Sequence, residues 1–279
     1  KKSVSINPDN AETYNNMGAV LKEQGELAEA IEAYKKTLVI NNCNEDALLN
    51  SYHIAALMND WFYTCSIKHR LEIAQHTGTE AVYALLALSD SPATHLKKTT
   101  ELSDKRYKYK IKFTSNNFQK SERIKVGYFS SYFRQHPVSI LSTQMLELHN
   151  KEQFETFAFH YGPDNGDEYN LRLRDAFDHF INVSKMSDNE IADLAYKNGI
   201  DIAVEFNGFM HGGRVGILAH RPAPVQINYL AYPGTMGSGS YDYIIGDHTI
   251  IPEHQSANYS EKIIYLPNCY MPQDNNRQI

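Results

Sequence analysis

From Ile124 onward, short apolar runs alternate with helical segments, and this alternation limits the possible folds more than any other feature. Ile124-Lys125-Val126-Gly127-Tyr128-Phe129 is a short apolar run with β-branched and aromatic residues, and reads as a buried strand. Ile140 to His149 reads as helix. Phe154 to Tyr161 alternates around Phe157 and Phe159 and reads as a strand ended by Gly162-Pro163. Leu171 to Phe177 is helical, and Phe180 to Val183 is a short strand. Ser187 and Glu190 form a capping box opening a helix to Asn198, which Gly199 stops. Ile200 to Phe206, Val225 to Leu230, Tyr243 to Gly246 and Ile263 to Leu266 are further strand candidates. Strands alternating with helices predict an α/β fold with a mainly parallel sheet covered on both faces. In such sheets ligands bind at loops beyond the carboxyl ends of the strands.

The preceding segment obeys a different period. Tyr14, Met17, Gly18 and Leu21 share one helical face, Gly25 punctuates, and Leu27, Ala30, Ile31, Tyr34 and Leu38 mark a second amphipathic helix. Tyr14, Gly18, Ala30 and Tyr34 sit at the spacing of a tetratricopeptide repeat, a helix–turn–helix unit of about 34 residues. Asn50 follows Asn16 by 34 residues, so a weaker second repeat starts near Glu45. Ser5-Ile6-Asn7-Pro8 reads as the tail of an earlier repeat, and the chain is expected to be cut from a longer array. The expected organisation is a repeat segment over 1–58, a helical connector over 59–120 and a Rossmann-like unit over 121–279.

Composition narrows the function classes. Asp plus Glu number 33 against 27 Lys plus Arg, a formal charge of −6, which disfavours nucleic acid or an anionic membrane as the main partner. The basic stretch Lys97 to Lys112, with Tyr107 and Tyr109, therefore reads as a solvated connector rather than a nucleic-acid patch. Cys43, Cys65 and Cys269 are odd in number and form no CxxC pair, so neither a disulfide framework nor a cysteine zinc site is expected. His211 and His220, and His248 and His254, lack helical metal-ligand spacing, and HExxH is absent, so no metal is expected. The apolar run Ala81 to Leu88 is too short to span a bilayer. The expected compartment is the cytoplasm.

Three loops carry candidate chemistry. Ser130 to Ser139 follows the first strand and precedes a helix; His136 is its one obvious general base, or merely a solvated turn histidine. Glu205 to Arg214 is glycine-rich, permits close backbone approach and offers Arg214 to an anion, or is simply a strand-to-helix turn. The third combines Arg221-Pro222-Ala223-Pro224-Val225-Gln226 with Tyr232-Pro233-Gly234-Thr235-Met236-Gly237. Its prolines hold Arg221 and Ala223 extended, and its backbone either passes close to a ligand or is loop punctuation. GxGxxG, GxSxG and the P-loop are all absent.

Val126-Gly127-Tyr128-Phe129-Ser130-Ser131, His136, Gly162-Pro163-Asp164, Asn207-Gly208, Arg214, the RPAPVQ segment at Arg221–Gln226, Tyr232-Pro233-Gly234-Thr235-Met236-Gly237, Asp242-Tyr243-Ile244-Ile245, Tyr259-Ser260-Glu261-Lys262 and Leu266-Pro267 together resemble one family. That family is the O-linked N-acetylglucosamine transferases and SPINDLY-like proteins, especially bacterial members. The resemblance implies two Rossmann-like halves of GT-B type facing a cleft, of which this chain holds the first. UDP-N-acetylglucosamine binds between them as substrate, and no cofactor or metal takes part. The sugar passes with inversion to a Ser or Thr hydroxyl of a protein.

His136 matches the family histidine proposed as general base. Pro137 and Val138 match residues beside the sugar, Leu230 and Ala231 a pair that contacts it, and Tyr232, Pro233, Gly234 and Thr235 the loop that holds it. Asn16 and Asn50 match a ladder of repeat asparagines that grips the acceptor polypeptide. This chain has Tyr132 where the family usually has Asp, and Ala231 where it has Gly. The segment leading into the second half begins near Tyr270, so the chain by itself is expected to be inactive. Two other readings stay open: a non-catalytic protein-binding scaffold with a degenerate transferase domain, and the same fold using GDP-fucose.

Overall fold

The computed structural model describes residues 9–73, 79–107 and 122–277. These form two compact units. One gathers the described residues up to 73 with 87–89, and the other gathers 79–86 with those from 90 onward. Ser5–Pro8 and the basic residues 108–112 lie outside the described residues.

The first unit is a run of helices: α1 (Ala11–Glu23), α2 (Leu27–Ile40), α3 (Glu45–Leu57) and α4 (Trp61–Ile73). Asn10 and Asn44 start α1 and α3 by accepting hydrogen bonds from Thr13 N (3.1 Å) and Ala47 N (2.8 Å). Gly25, at φ +81°, makes the left-handed turn between α1 and α2. The expected face is the buried one: Ala30, Ile31, Tyr34 and Leu38 are all buried. The Tyr34 ring lies against α1 where a Cβ on Gly18 would come within 2.8 Å of it, which is why that position is small.

The second unit opens with α5 (Thr79–Leu88) up to Leu86 and with α6 (Pro92–Arg106). The sequence assigns α6 to a solvated connector, yet Thr99, Leu102 and Ser103 are buried and Ser103 Oγ donates to Met236 O (2.9 Å). Two of these three are hydroxyl residues, so an apolar stripe was not there to be read. Thr99 satisfies its own hydroxyl on His95 O (2.8 Å).

Seven strands then form one sheet: β1 (Ile124–Ser130), β2 (Phe154–His160), β3 (His179–Asn182), β4 (Ile202–Glu205), β5 (Val225–Asn228), β6 (Tyr243–Gly246) and β7 (Lys262–Tyr265). Their order is β3-β2-β1-β4-β5-β6-β7, and every pairing is parallel. Successive side chains feed opposite cores. Phe129, Phe157, Phe159 and Ala203 pack on one face, while Val126, Tyr128, Ala158, Val204 and Ile227 pack on the other.

Helices α7 (Pro137–Glu147), α8 (Glu168–Ala176), α9 (Asp188–Lys197) and the short α10 (Gly216–Ala219) connect the strands, with a 3-10 turn at Glu253–Asn258. The capping box of α9 is present as expected, with Ser187 N donating to Glu190 Oε2 (2.8 Å). Helix α7 begins three residues earlier than the pattern suggests, because Pro137 occupies its first turn behind a His136 cap. The fold is α/β and Rossmann-like. Because β1 pairs with both β2 and β4, the winding reverses between β1 and β4, and the crevice at their carboxyl ends is the expected ligand position. Among the described residues no helix is long and apolar enough to cross a membrane.

Candidate functional site

The carboxyl ends of β1 and β4 are stitched by one amide. Asn207, fully buried, accepts from Ser130 Oγ (2.9 Å) and Ser131 N (3.2 Å) at Oδ1 and donates from Nδ2 to Ser131 Oγ (2.7 Å). Beneath it lies Glu205, 1% exposed at the end of β4, accepting from Asn207 N (3.0 Å), Tyr161 Oη (3.0 Å) and Gly208 N. Burial pushes the Glu205 carboxyl up to about 7, against those three donors, which favour the ionised form.

This shift has a testable consequence. An ordinary glutamate releases its proton near 4.5, so between there and about 7 the folded protein holds a proton the unfolded chain has lost. Stability therefore falls as pH rises through that window. Relative to Glu205→Gln, the wild-type protein is expected to lose on the order of 2 kcal/mol between pH 5 and pH 7. Urea midpoints of the two proteins across this range measure it, since histidines that also titrate are common to both. Parallel pH profiles would refute it.

The β1 loop carries His136, half-buried at the N-cap of α7, where Nδ1 accepts from Val138 N (3.3 Å). A nitrogen that accepts holds no proton, so the neutral ring carries its proton on Nε2 and presents a donor there. Burial, with the Arg134 guanidinium adding to it, lowers the imidazole to about 4, so it is uncharged at neutral pH. The Tyr132 ring lies face to face with it, centroids 3.7 Å apart and planes 3° apart. Tyr132 Oη donates to His211 O (2.5 Å) in the β4 loop. Burial, with the Glu205 charge adding to it, pushes this phenol up to about 12, so it stays a donor. Pro137 is exposed and Val138 is buried beside the helix start.

The β5 loop flanks the β4 loop on its other side. Leu230 takes φ +82°, a left-handed conformation costly for a branched side chain, and is buried. Ala231 N donates to Phe206 O (3.2 Å). Tyr232 is 1% exposed and packs edge-on to Phe209, with centroids 5.3 Å apart. A Cβ on Gly208, which has φ +55°, would come within 2.4 Å of the Tyr232 Cβ, and one on Gly234 within 2.7 Å of its ring. The Tyr232 side chain is thus a prop, and Ala231 and Pro233 beside it are half-buried. Thr235 Oγ1 donates to the buried Glu261 (2.7 Å), which also accepts from Met236 N (2.6 Å). Asn228 Nδ2 holds the loop from below through Tyr232 O (3.1 Å) and Gly234 O (3.3 Å).

His136, Pro137 and Val138 therefore stand at the carboxyl end of β1, and Leu230 to Thr235 at that of β5, with the Asn207–Arg214 loop of the intervening strand β4 between them. Asn16 and Asn50 belong to the other unit. Asn16 is exposed on α1, whereas Asn50 Oδ1 accepts from Lys22 Nζ (2.8 Å) and its Nδ2 donates to Asp46 O (2.9 Å).

One open alternative closes and one expectation fails. The RPAPVQ segment is not part of the crevice, since it leads into the amino end of β5. Arg221 is not extended but left-handed, at φ +53°, and it clamps Asp242 (2.6 and 2.7 Å), Ser240 O (3.0 Å) and Pro224 O (3.1 Å). Gln226, fully buried, donates to Leu218 O (2.8 Å) and Ser240 O (2.5 Å). Arg214 is likewise engaged, with Asp188 at the start of α9 (2.7 Å) and Met186 O (2.9 Å). The sequence places Glu205 and Asn207 in the glycine-rich loop, and Asn207 among the residues of the family resemblance, but assigns neither a role. The signal was a carboxylate inside the apolar run Ile200 to Phe206, which a strand covered on both faces must bury. Among the described residues no three His, Cys, Asp or Glu side chains gather as a metal site would require.

Comparison with known proteins agrees with this fold. A model of glycosyl transferase family 41 matches residues 86–279, and a tetratricopeptide-repeat model matches residues 11–42. An Arabidopsis thaliana protein named as the probable UDP-N-acetylglucosamine–peptide N-acetylglucosaminyltransferase SEC is 36% identical over 153 residues, 55% of this chain and 16% of that protein. The Caenorhabditis elegans UDP-N-acetylglucosamine–peptide N-acetylglucosaminyltransferase is 33% identical, over 54% of this chain and 13% of its own length. These matches span less than a fifth of either relative. The solved structure of a mutant Thermobaculum terrenum O-GlcNAc transferase shares the fold, with a TM-score of 0.79 at 24% identity, over 97% of this chain and 53% of that one. With the family model matched over most of its length, including all three strand-end loops of the crevice, the chain belongs to glycosyl transferase family 41.

Proposed function

We propose that this chain contributes the sugar-facing half of a protein O-glycosyltransferase, which moves N-acetylglucosamine from UDP-N-acetylglucosamine to Ser or Thr hydroxyls with inversion and without a metal. The observation that carries the reading is the crevice at the β1/β4 switch, where an uncharged imidazole with its proton on Nε2 lies on the Tyr132 ring, whose N–H joins the buried polar network through Ser130. Family membership and the names of the relatives support the donor and the acceptor class.

In this reading the acceptor oxygen attacks the anomeric carbon as the bond to the diphosphate breaks, UDP leaves with the bonding pair, and the hydroxyl proton passes to a phosphate oxygen of the departing UDP. His136 donates from Nε2 and orients an oxygen of the reacting groups, the role that its Nδ1 contact with Val138 N supports over deprotonation of the acceptor hydroxyl. Pro137 and Val138 flank the sugar. The backbone of Leu230 to Thr235, held by Asn228 and Glu261, cradles it. Asn16 and Asn50 meet the acceptor polypeptide, and Asn50 does so once Lys22 gives up its oxygen.

In the full-length protein, His136→Ala is expected to lower transfer of radiolabelled N-acetylglucosamine to a protein acceptor roughly a hundredfold to a thousandfold, the effect of losing one preorganised donor. Donor affinity, measured by calorimetry, should change far less. Activity is expected to survive a chelator. Binding of GDP-fucose in place of UDP-N-acetylglucosamine would overturn the donor assignment. Polypeptide binding with no transfer of either sugar would overturn the catalytic reading.

A further inference from the structure

The functional reading leaves one buried aromatic residue of the crevice without a role. Tyr132 is 5% exposed and is fixed from three directions. Its N–H donates to Ser130 Oγ (2.9 Å), its carbonyl accepts from Ser139 Oγ (2.5 Å), and its hydroxyl donates to His211 O (2.5 Å). It also belongs to the same apolar cluster as Val138 and Leu230, one from each of the loops assigned to the sugar. A side chain held this firmly is a rigid surface, and the group lying flat on it is His136, only 3° from coplanar.

An N-cap hydrogen bond of 3.3 Å restrains the imidazole at one atom and leaves the ring free to swing about it. A flat aromatic platform removes that freedom. Resting on the functional reading above, we propose that Tyr132 is a positioning residue: its ring, tethered to the β4 loop through His211 O, sets the plane of the His136 imidazole and thereby the direction in which Nε2 donates. The β1 and β4 loops are then one device, since the hydroxyl that crosses between them holds the platform on which the donor rests. For this purpose a phenol serves where a carboxylate would not, because it supplies a face and remains uncharged.

Arg134 on the same loop opposes protonation of His136. Glu205 at the end of β4 and Tyr83 on α5 act on Tyr132. Asp167, ahead of α8, accepts from Gln135 N (2.8 Å). Burial and the Arg134 charge both lower the imidazole, so loss of the platform is expected to act through solvent access and rotation.

The test uses nitrogen and proton magnetic resonance of His136 in the full chain, beside kinetics of the full-length protein. In the wild-type protein the His136 ring protons are expected upfield of those of an unstacked histidine, with one tautomer, protonated at Nε2. Tyr132→Phe keeps the face and loses only the tether. It is expected to keep part of the upfield shift, with kcat lowered about threefold to tenfold, between wild type and Tyr132→Met. Tyr132→Met keeps bulk without a face. It is expected to lose the shift, mix tautomers and raise the titration midpoint towards that of an ordinary histidine. Its kcat should drop tenfold or more, with the KM for the donor within about threefold, as misorientation of a bound group does.

A wild-type spectrum without the upfield shift would overturn the proposal, and this observation does not depend on any variant folding. So would a folded Tyr132→Met protein whose tautomer and kcat match wild type. If the resonance pattern holds but the full-length protein transfers no sugar, the functional reading fails and the positioning of His136 by Tyr132 stands.

Discussion

Replacing Gly162 with alanine is expected to destabilise the sheet unit by more than about 3 kcal/mol, through overlap of backbone rather than loss of any contact. The new Cβ would lie 2.0 Å from Ser131 O, 2.8 Å from its carbonyl carbon and 2.9 Å from its Cα. A side-chain tip could rotate away from such a clash, but a carbonyl pinned inside the β1 loop cannot. Tyr161 N donates to Ser130 O (3.1 Å), and Ser131 N and Oγ both engage Asn207 (3.2 and 2.7 Å). Either the end of β2 or the β1 loop must move, and the β1 loop carries Tyr132 and His136. Gly166→Ala is the matched control. That glycine has φ +64° but nothing within 4 Å of its would-be Cβ, so alanine there costs only about 1 kcal/mol of left-handed backbone. Denaturant midpoints separate the two substitutions. Equal and small effects would mean that the loops do not meet as closely as described.

Arg172→Met is expected to cost about 2–4 kcal/mol and to loosen the segment after β7. The guanidinium grips Glu147 through Nε (2.6 Å) and Nη2 (2.7 Å), and Asp274 through Nη1 (2.5 Å) and Nη2 (3.2 Å). The Asp274 side chain is entirely buried, while Arg172 and Glu147 are 23% and 29% exposed. Removing one partner of a buried pair leaves the other charge uncompensated, typically a loss of about 3–5 kcal/mol, reduced here because Glu147 can turn to water. Burial would raise the Asp274 carboxyl, but the Arg172 hydrogen bond and Asn276 N–H hold it below the usual range. Its contribution is therefore present above the ordinary carboxylate range and is lost on acidification through its folded-state value.

The double variant Arg172→Met with Asp274→Asn should recover at least about 1 kcal/mol against the sum of the single changes. Limited proteolysis reads the local effect. Tyr270 and Asn275 remain tied to Asp247 (2.8 Å) and Gln144 (3.0 Å), so cleavage is expected to concentrate around Asp274 rather than spread through the sheet. Additive single effects, or cleavage no faster than in wild type, would show the cluster to be a surface ornament.

The elements of the sheet unit were legible because their signals are local. Ser187 and Glu190 announce α9, Gly199 ends it, and the alternation about Phe157 and Phe159 announces β2. The boundaries moved where one residue had a tertiary partner, as at Pro137, whose place in the first turn of α7 follows from His136 serving as its cap. The RPAPVQ segment shows the opposite limit. It is the most specific string in the chain, yet it braces the amino end of β5 against Asp242 and Ser240 and takes no part in the crevice. Specificity of sequence marks constraint, and constraint comes from packing as readily as from chemistry.

The sequence by itself determined the repeat helices, the alternation of strands and helices, the family resemblance and the strand-end loops from which a site had to be drawn. Only the tertiary structure decided that Glu205 and Asn207 form the buried floor of that site, that Tyr232 props its loop from beneath, that Arg214 and Arg221 are already engaged, and that Tyr132 lies flat against His136. Periodicity and caps act over a few residues, so they can be read along the chain. Which polar group is buried, and which donor meets it, depends on β4 lying between β1 and β5, an adjacency of segments some 76 or more positions apart from Ser130 and Ser131 to Asn207.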